Sequence, residues 1–435
     1  KMSQTVELKR YSLTSENVST LAKSLRKSSS LTRNIERVKA IVDDVRQRGD
    51  AALVEYAKKF DNIDIEPSEF RVKTNEIKRA YSKVSDEEVR ALKNLKKRVA
   101  KLDSILLKQL RSVRMQDDGL AISLKVSAVG SVGCYVPGGK AIYPTSLVMC
   151  CVPAKIAGVE RVVVCSPCSQ SKEIAPILLV AADICGVDEV YKIGGAQAIA
   201  ALAYGTRTIK PVNKIVGPGS IYVAQAKILV SYDVAIDNPA GPSEILIIAD
   251  ESADAKDVAR DLISQAEHGQ DSVSGLVSTS KTLIDKVAKE VRSMLKDVHR
   301  KEMVEKSIAE NAFMIECGSL QTATEFANAF APEHLEIITK NATAVAKKIN
   351  SSGVVLLGRY TPVASSDYGL GTNHVLPTGG SATTSSGLSA LDFVKRIYVA
   401  QATKSSLAKL AKDMGVLAKA EGLINHYRAI EERLN

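Results

Sequence analysis

The stretch "EVYKIGGAQAIAALAYG", residues 189–205, runs from a short apolar segment through two glycines into an alanine-rich helical segment, and "NKIVGPGSIYVAQAK", residues 213–227, repeats the arrangement. An apolar run that turns on glycine into a helix is the local unit of a parallel sheet, because parallel neighbours need a crossover and cannot be joined by a tight hairpin. Working outward, "RVVVCSP" (161–167) and "SEILIIAD" (243–250) are further short β runs with helical stretches between them. From about Val129 onward the chain therefore reads as α/β. The same glycine turns leave free backbone N–H groups at a helix start, where a pyrophosphate could sit. Neither is a G-x-G-x-x-G fingerprint, and glycine there serves tight packing equally well, so dinucleotide binding and plain packing both stay open. The loop "GCYVPGGKAIYPTS" (133–146), with two tyrosines, is either a cover for a cofactor or a simple turn.

The flanks read as helical. Period-3.6 apolar stripes run through about the first 125 residues, in "SENVSTLAKSLRKS", "LTRNIERVKAIVDDVRQRGDAALVEYAKKFD" and "KNLKKRVAKLDSILLKQLRSVR" (93–114). About the last 55 return to helix in "SSLAKLAKDMGVLAKAEG" and "LINHYRAIEERLN", broken at Gly422. No internal repeat of about 20–50 residues is visible. A chain of 435 residues, 45% of them hydrophobic, can bury a large core. It shows no apolar stretch of about 18 residues, no basic-then-apolar leader and no lipidation signal, which gives the expectation of a soluble, cytoplasmic protein. The cysteines, Cys134, Cys150, Cys151, Cys165, Cys168, Cys185 and Cys317, are odd in number and scattered, and are expected to be reduced. The net charge of +10 raises nucleic acid as a partner class. In the densest basic run, however, Leu95, Val99, Leu102 and Leu106 recur at helical spacing, so its lysines read as the wet side of an amphipathic helix. Six Phe and no Trp leave little for base stacking, and no nucleic-acid or membrane partner is expected. Excess lysine equally suits solubility or a thermophile's surface.

Five histidines serve the whole chain, and four lie in unusual company. In "SQAEHGQDS" (264–272) Gln265 and His268 stand three apart at the end of the helical run Asp254–Ala266, where a polar cap and a pair of ligands are both possible. The others are Glu333 and His334 in "FAPEHLEII", Asp367 and His374 in "SSDYGLGTNHVLPTGG", and Glu421 and His426 in "AKAEGLINHYRAI". His299, in a charged helical surface, reads as a bystander. Gln, His, Asp and His make a nitrogen and oxygen donor set without thiolate, compatible with Zn2+ and equally with Mn2+ or Co2+. The competing candidate is "CSPC" (165–168), which has no second CxxC. Glu333 beside His334, just after a proline, could supply paired bases if both faced one cleft, although a regular strand would point them apart.

Taken in order, "GGAQAIAALAYGT", "VGPG", "AGPSEILIIAD", "SQAEHG", "FAPEHLEI", "NHVLPTGG" and "AEGLINH" resemble the motifs of the histidinol dehydrogenase family, over the chain from about residue 20 to its end. The resemblance implies an NAD-dependent oxidation of L-histidinol to L-histidine through bound L-histidinal, the last step of histidine biosynthesis. It implies one zinc per subunit on Gln265, His268, Asp367 and His426, with His334 as the base for the alcohol and Glu333 as the acid that activates water. Ser243, His374 and Glu421, together with His334 and the metal ligands, match substrate contacts; Tyr135, Gln197 and Ser220 match cofactor positions. Two departures stand out: Ser220 replaces the usual Asn after "GPG", and Thr372 stands where proline is common. The implied fold is two incomplete Rossmann-like, aldehyde-dehydrogenase-like domains with a helical N-terminal arm and a helical C-terminal tail. The expected division is an arm (1–25), a zinc and substrate domain (26–128 and 242–378), an NAD-binding domain (129–241) and a tail (379–435) that crosses to the partner of a homodimer. The rivals are a paralogous zinc/NAD dehydrogenase for another small primary alcohol and a non-catalytic NAD-binding regulatory protein. No cysteine nucleophile is expected.

Overall fold

The computed structural model describes residues 7–26, 35–110, 113–138, 142–239 and 241–435; the first six residues of the expected arm, residues 139–141 of the tyrosine loop and Ala240 lie outside them. Two parallel sheets carry the fold. The five-stranded sheet has the spatial order Glu189–Tyr191, Arg161–Cys165, Ser131–Tyr135, Lys214–Val216, Ala235–Ile236, all parallel. Counted along the chain, that is third, second, first, fourth, fifth, the order of a doubly wound nucleotide-binding sheet short of its sixth strand. The six-stranded sheet has the order Lys9–Leu13, Ala312–Cys317, Val273–Ser278, Glu244–Ala249, His334–Ile338, Val354–Leu357, also all parallel. Without its first strand the order is again third, second, first, fourth, fifth. The architecture is thus doubled, although no repeat is visible in the sequence.

The strand runs form because their residues are apolar on both faces: "EILIIA" and "VSGLVS" are buried at every position. Ile245, Ile247 and Ala249 pack under the helices Ala255–Ala266 and Lys281–Met294, while Leu246 and Ile248 pack on the opposite face with Phe326 and Phe330. The expected arm carries the helix Val18–Leu25 and, before it, the unforeseen strand Lys9–Leu13 on the sheet's edge.

Two expectations need correction. The helices between 35 and 110 do not group with 242–378. Val38, Val42 and Leu53 pack with Ile199 and Leu202, and Leu92, Leu95 and Val99 pack with Val132 and Met149, all on the five-stranded sheet. Within the helix Asp86–Gln109 the buried row is Leu92, Leu95, Val99 and Asp103, while Leu102 is exposed. Nor are the flanks wholly helical. Arg114–Asp117, Leu120–Ala128 and Val394–Ala402 form a three-stranded antiparallel sheet, in which Val394 pairs with Ala128 and Ala402 with Leu120. Its signal is the alternation of Leu120, Ile122, Leu124, Val126 and Ala128, a period of two inside a region read at 3.6. The segment before it, with Leu388, Ala390 and Phe393 buried, is packed rather than free. The tail proper is the helices Lys404–Ala420 and Ile424–Glu431, with Gly422 at φ 74° between them. Among the described residues no helix is long and apolar enough to cross a membrane.

Candidate active site

The helix Ala255–Ala266 starts on Asp254, whose carboxylate accepts the Lys256 N–H at 2.8 Å, and buries Val258, Leu262 and Ile263. Gln265 lies on the same buried side and is 0% exposed, yet among the described residues no partner reaches its Oε1 or its Nε2. Buried amides are normally satisfied, which makes this one a candidate ligand. His268 follows two residues past the helix end and is exposed. Helix Ala255–Ala266 packs on the short helix Val363–Tyr368, which carries Asp367. Burial opposes ionisation of Asp367, but the His374 imidazole, with its Nδ1 at 3.4 Å, and the charges of His334 and His268 hold the carboxyl below its usual range. His374 turns its other nitrogen, Nε2, to the Ser146 hydroxyl at 3.0 Å, on the helix Pro144–Ala157 of the other parallel-sheet unit.

Glu333 and His334 do face each other. The helix Leu320–Phe330 ends on Ala331 in the left-handed region at φ 50°, and Glu333 stands just before the strand His334–Ile338 rather than in it. Freed from strand alternation, both side chains are buried with Glu333 Oε2 3.5 Å from His334 Nδ1. That same Nδ1 lies 3.1 Å from the Glu244 carbonyl, which can only accept, so Nδ1 carries the proton and the neutral ring keeps its lone pair on Nε2. Nε2 is buried and, among the described residues, no donor reaches it. Burial works against the imidazolium, but the Glu333 carboxylate, then the Asp367 charge and the Glu244 carbonyl, raise the pKa of His334 above the ordinary histidine value. Glu244 is itself buried, and burial together with the Glu333 charge pushes its carboxyl up to about 7. Ser243, half-buried, is its chain neighbour.

Glu421 and His426 are exposed on the tail and are not brought to this cluster. Among the described residues no three of His, Cys, Asp and Glu converge closely enough to hold a metal. The competing "CSPC" pair is not a thiolate site: Cys165 is buried, Cys168 donates weakly to the Lys192 carbonyl, and burial pushes both thiols up. Cys134, Cys150 and Cys151 are fully buried in the core of the five-stranded sheet, and burial drives the last two thiols well above their usual range.

The cofactor candidates gather at the carboxyl ends of the five-stranded sheet, where the order reverses between Ser131–Tyr135 and Lys214–Val216. Tyr135 is buried and its hydroxyl accepts the Gly195 N–H at 3.0 Å, so one of the N–H groups expected to be free is already used. Gln197 is buried and folds back over Gly195. Gly217, at φ 116°, approaches the Tyr135 carbonyl so closely that a Cβ would collide with it. Ser220 is exposed and starts the helix Ile221–Val230 without a side-chain cap, leaving that helix end open.

Residues 24–434 match the family model for histidinol dehydrogenase. The chain belongs to the histidinol dehydrogenase family. A histidinol dehydrogenase from Methanocaldococcus jannaschii is 44% identical over 397 residues, covering 91% of this chain and 92% of its own. One from Rhodopseudomonas palustris is 45% identical over 399 residues, covering 91% and 92%. The crystal structure of histidinol dehydrogenase from Elizabethkingia anophelis matches with a TM-score of 0.93 at 33% identity, covering 98% of each chain. Against the family's motifs, two residues at the site had no role in the sequence reading. Glu244, within "AGPSEILIIAD", reads only as the start of a strand, and Ser146 lies in the tyrosine loop without a neighbour in sequence to mark it.

Proposed function

We propose that the protein oxidises L-histidinol to L-histidine through L-histidinal with two NAD+, in the cytoplasm, as the last step of histidine biosynthesis. The observation that carries the reading is the pairing of Glu333 with a His334 whose Nδ1 is tied to the Glu244 carbonyl, leaving Nε2 unpartnered. In the first oxidation His334 Nε2 takes the hydroxyl proton as the carbinol carbon gives up hydride. In the second, Glu333 takes a proton from the water that adds to the aldehyde, and His334, its first proton passed to solvent, takes the proton of the resulting hydrate as the second hydride leaves to NAD+. The balance is one alcohol, one water and two NAD+ consumed for one carboxylate, two NADH and three protons formed. Burial of Cys134, Cys150 and Cys151 in the sheet core, which pushes the last two thiols up, argues against a covalent cysteine step.

Gln265 with its two unsatisfied amide atoms, together with His268 and Asp367, fits a nitrogen and oxygen metal site. Zinc held there would position the substrate's imidazole and amine and polarise its carbinol oxygen. Ser243, His374 and Glu421 would contact substrate. The open helix end at Ser220, with Tyr135 and Gln197 at the point where strand order reverses, fits the hydride acceptor NAD+. Residues 129–241 would then bind NAD and 242–378 substrate. The fourth ligand, His426, and Glu421 would come from a second copy of the chain. In support, the tail helices leave Val416 62%, Leu417 64%, Leu423 43% and Ile424 44% exposed, apolar surface that a partner would cover.

The test is the yield of NADH per L-histidinol consumed, expected to be two. One NADH with free aldehyde released would overturn the reading. His334→Asn should abolish the alcohol step, by roughly a hundredfold or more, while metal content measured by atomic absorption stays at the wild-type level.

A further inference from the structure

Glu244 lies at the first residue of the strand Glu244–Ala249 and is 3% exposed. Its carboxylate accepts two backbone N–H groups, that of Gly379 on Oε1 at 3.1 Å and that of Glu333 on Oε2 at 3.3 Å. In return, the Glu333 carboxylate accepts the Glu244 N–H on Oε2 at 2.8 Å, and the Glu244 carbonyl faces His334 Nδ1 at 3.1 Å. Each glutamate thus holds the other's backbone, and the loop that follows His374 is tied in at Gly379. Among the described residues, the Glu244 N–H and His334 Nδ1 both meet Glu333 on Oε2, which leaves Oε1 as the oxygen to meet a water. The side chain of Glu244 fixes Glu333 and the 374–380 loop, whereas His334 is held by the Glu244 main chain.

We propose that Glu244 is a positioning residue for the aldehyde step, its carboxylate clasping the Glu333 backbone N–H and so fixing where the Glu333 carboxylate sits, one oxygen on the Glu244 main-chain N–H and the other toward the reacting water. The inference rests on the role given above to Glu333. It separates the two oxidations, because side-chain changes at Glu244 disturb Glu333 while leaving the carbonyl that orients His334 in place.

In Glu244→Gln one of the two accepting oxygens becomes an NH2 group, which sets donor against donor at Gly379 or at Glu333. NADH formation is measured separately from L-histidinol and from L-histidinal, with metal content and melting curve for each variant. Glu244→Gln is expected to lower kcat for the aldehyde roughly ten- to a hundredfold with KM within about threefold, and to slow the alcohol step less than about threefold. The double variant Glu244→Gln/Glu333→Gln should be no slower on the aldehyde than Glu333→Gln alone, since a clasp with nothing to position has nothing left to lose. Equal slowing of both steps, or additive losses in the double variant, would overturn the proposal. If Glu333→Gln itself left the aldehyde step intact, the role of Glu333 would fail and the inference with it; a slow Glu333→Gln beside an unaffected Glu244→Gln sinks the inference alone. Should Glu244→Gln not fold, Glu244→Asp keeps the charge, falls one methylene short of its two partners, and must show the same split.

Discussion

Gln265 shows how a residue can be wrong for stability and right for a site. A fully buried amide with neither atom satisfied costs about 1–3 kcal/mol for each unmade hydrogen bond, and only a bound group can return that. Gln265→Leu, of similar size, should therefore raise the melting temperature of metal-free protein while weakening zinc binding at least about tenfold in a competition titration with a chelator. A metal-free melting temperature that fell would mean that the amide has a structural partner. The same imbalance explains what could be read in advance. Histidines were informative because they are few and lie in Gly- and Pro-rich turns, whereas Glu244 was silent because an acid at the head of an apolar run looks like any strand start. Its meaning depends on backbone N–H groups at 333 and 379, contacts across the fold that no local spacing records.

At the scale of elements, the helix with Gln265 and the strand with His334 meet at a buried acid pair. Asp261 lies one turn before Gln265, and Glu336 two residues after His334 on the same sheet face; both are buried, and the Glu336 carboxyl meets Asp261, with the Val363 backbone as a further polar neighbour. Burial, with the Asp261 charge, drives Glu336 well above the usual carboxyl range; burial, with a further push from Asp257, also raises Asp261. Two carboxylates offer no donor, so the contact is favourable only while a proton is shared. Both folded-state values exceed those of the unfolded chain, so this stabilisation is complete below about pH 4 and drains as pH rises through the raised values, each tenfold difference in proton affinity being worth about 1.4 kcal/mol. The melting temperature should thus fall from mildly acid toward alkaline pH, and Glu336→Gln, which supplies an amide donor to ionised Asp261, should flatten the slope. An unchanged slope in that variant would exclude the pair as its source. The central strands beside this pair were legible because burial on both faces writes an unbroken apolar run. Lys9–Leu13, with an exposure pattern mixed along its length, and the half-exposed sheet of residues 114–128 and 394–402 were not, since little of their sequence is dictated by a core.

For the whole molecule, the two parallel sheets share one strand order but use opposite ends. The five-stranded sheet gathers Tyr135, Gly217 and Ser220 at its carboxyl ends, as the rule for open α/β sheets leads one to expect, while Glu244, Glu333 and His334 stand at the amino ends of the six-stranded sheet. His374, reaching Ser146 across the divide, ties the two units together beside the candidate site. One chain leaves that site without the tail residues Glu421 and His426, which are exposed on either side of Gly422. If His426 serves a second copy, a chain with Gln265→Ala mixed with one carrying His426→Ala will form heterodimers in which one site lacks both ligands and the other lacks neither. Each heterodimer then regains one complete site out of two, and NADH formation from L-histidinol should reappear on subunit exchange between two nearly inactive proteins. If the tail instead folds back on its own chain, each site of the heterodimer lacks one ligand and exchange restores nothing. Native mass spectrometry of the mixture establishes that heterodimers have formed, so that silence in the assay counts against the exchanged tail rather than against mixing.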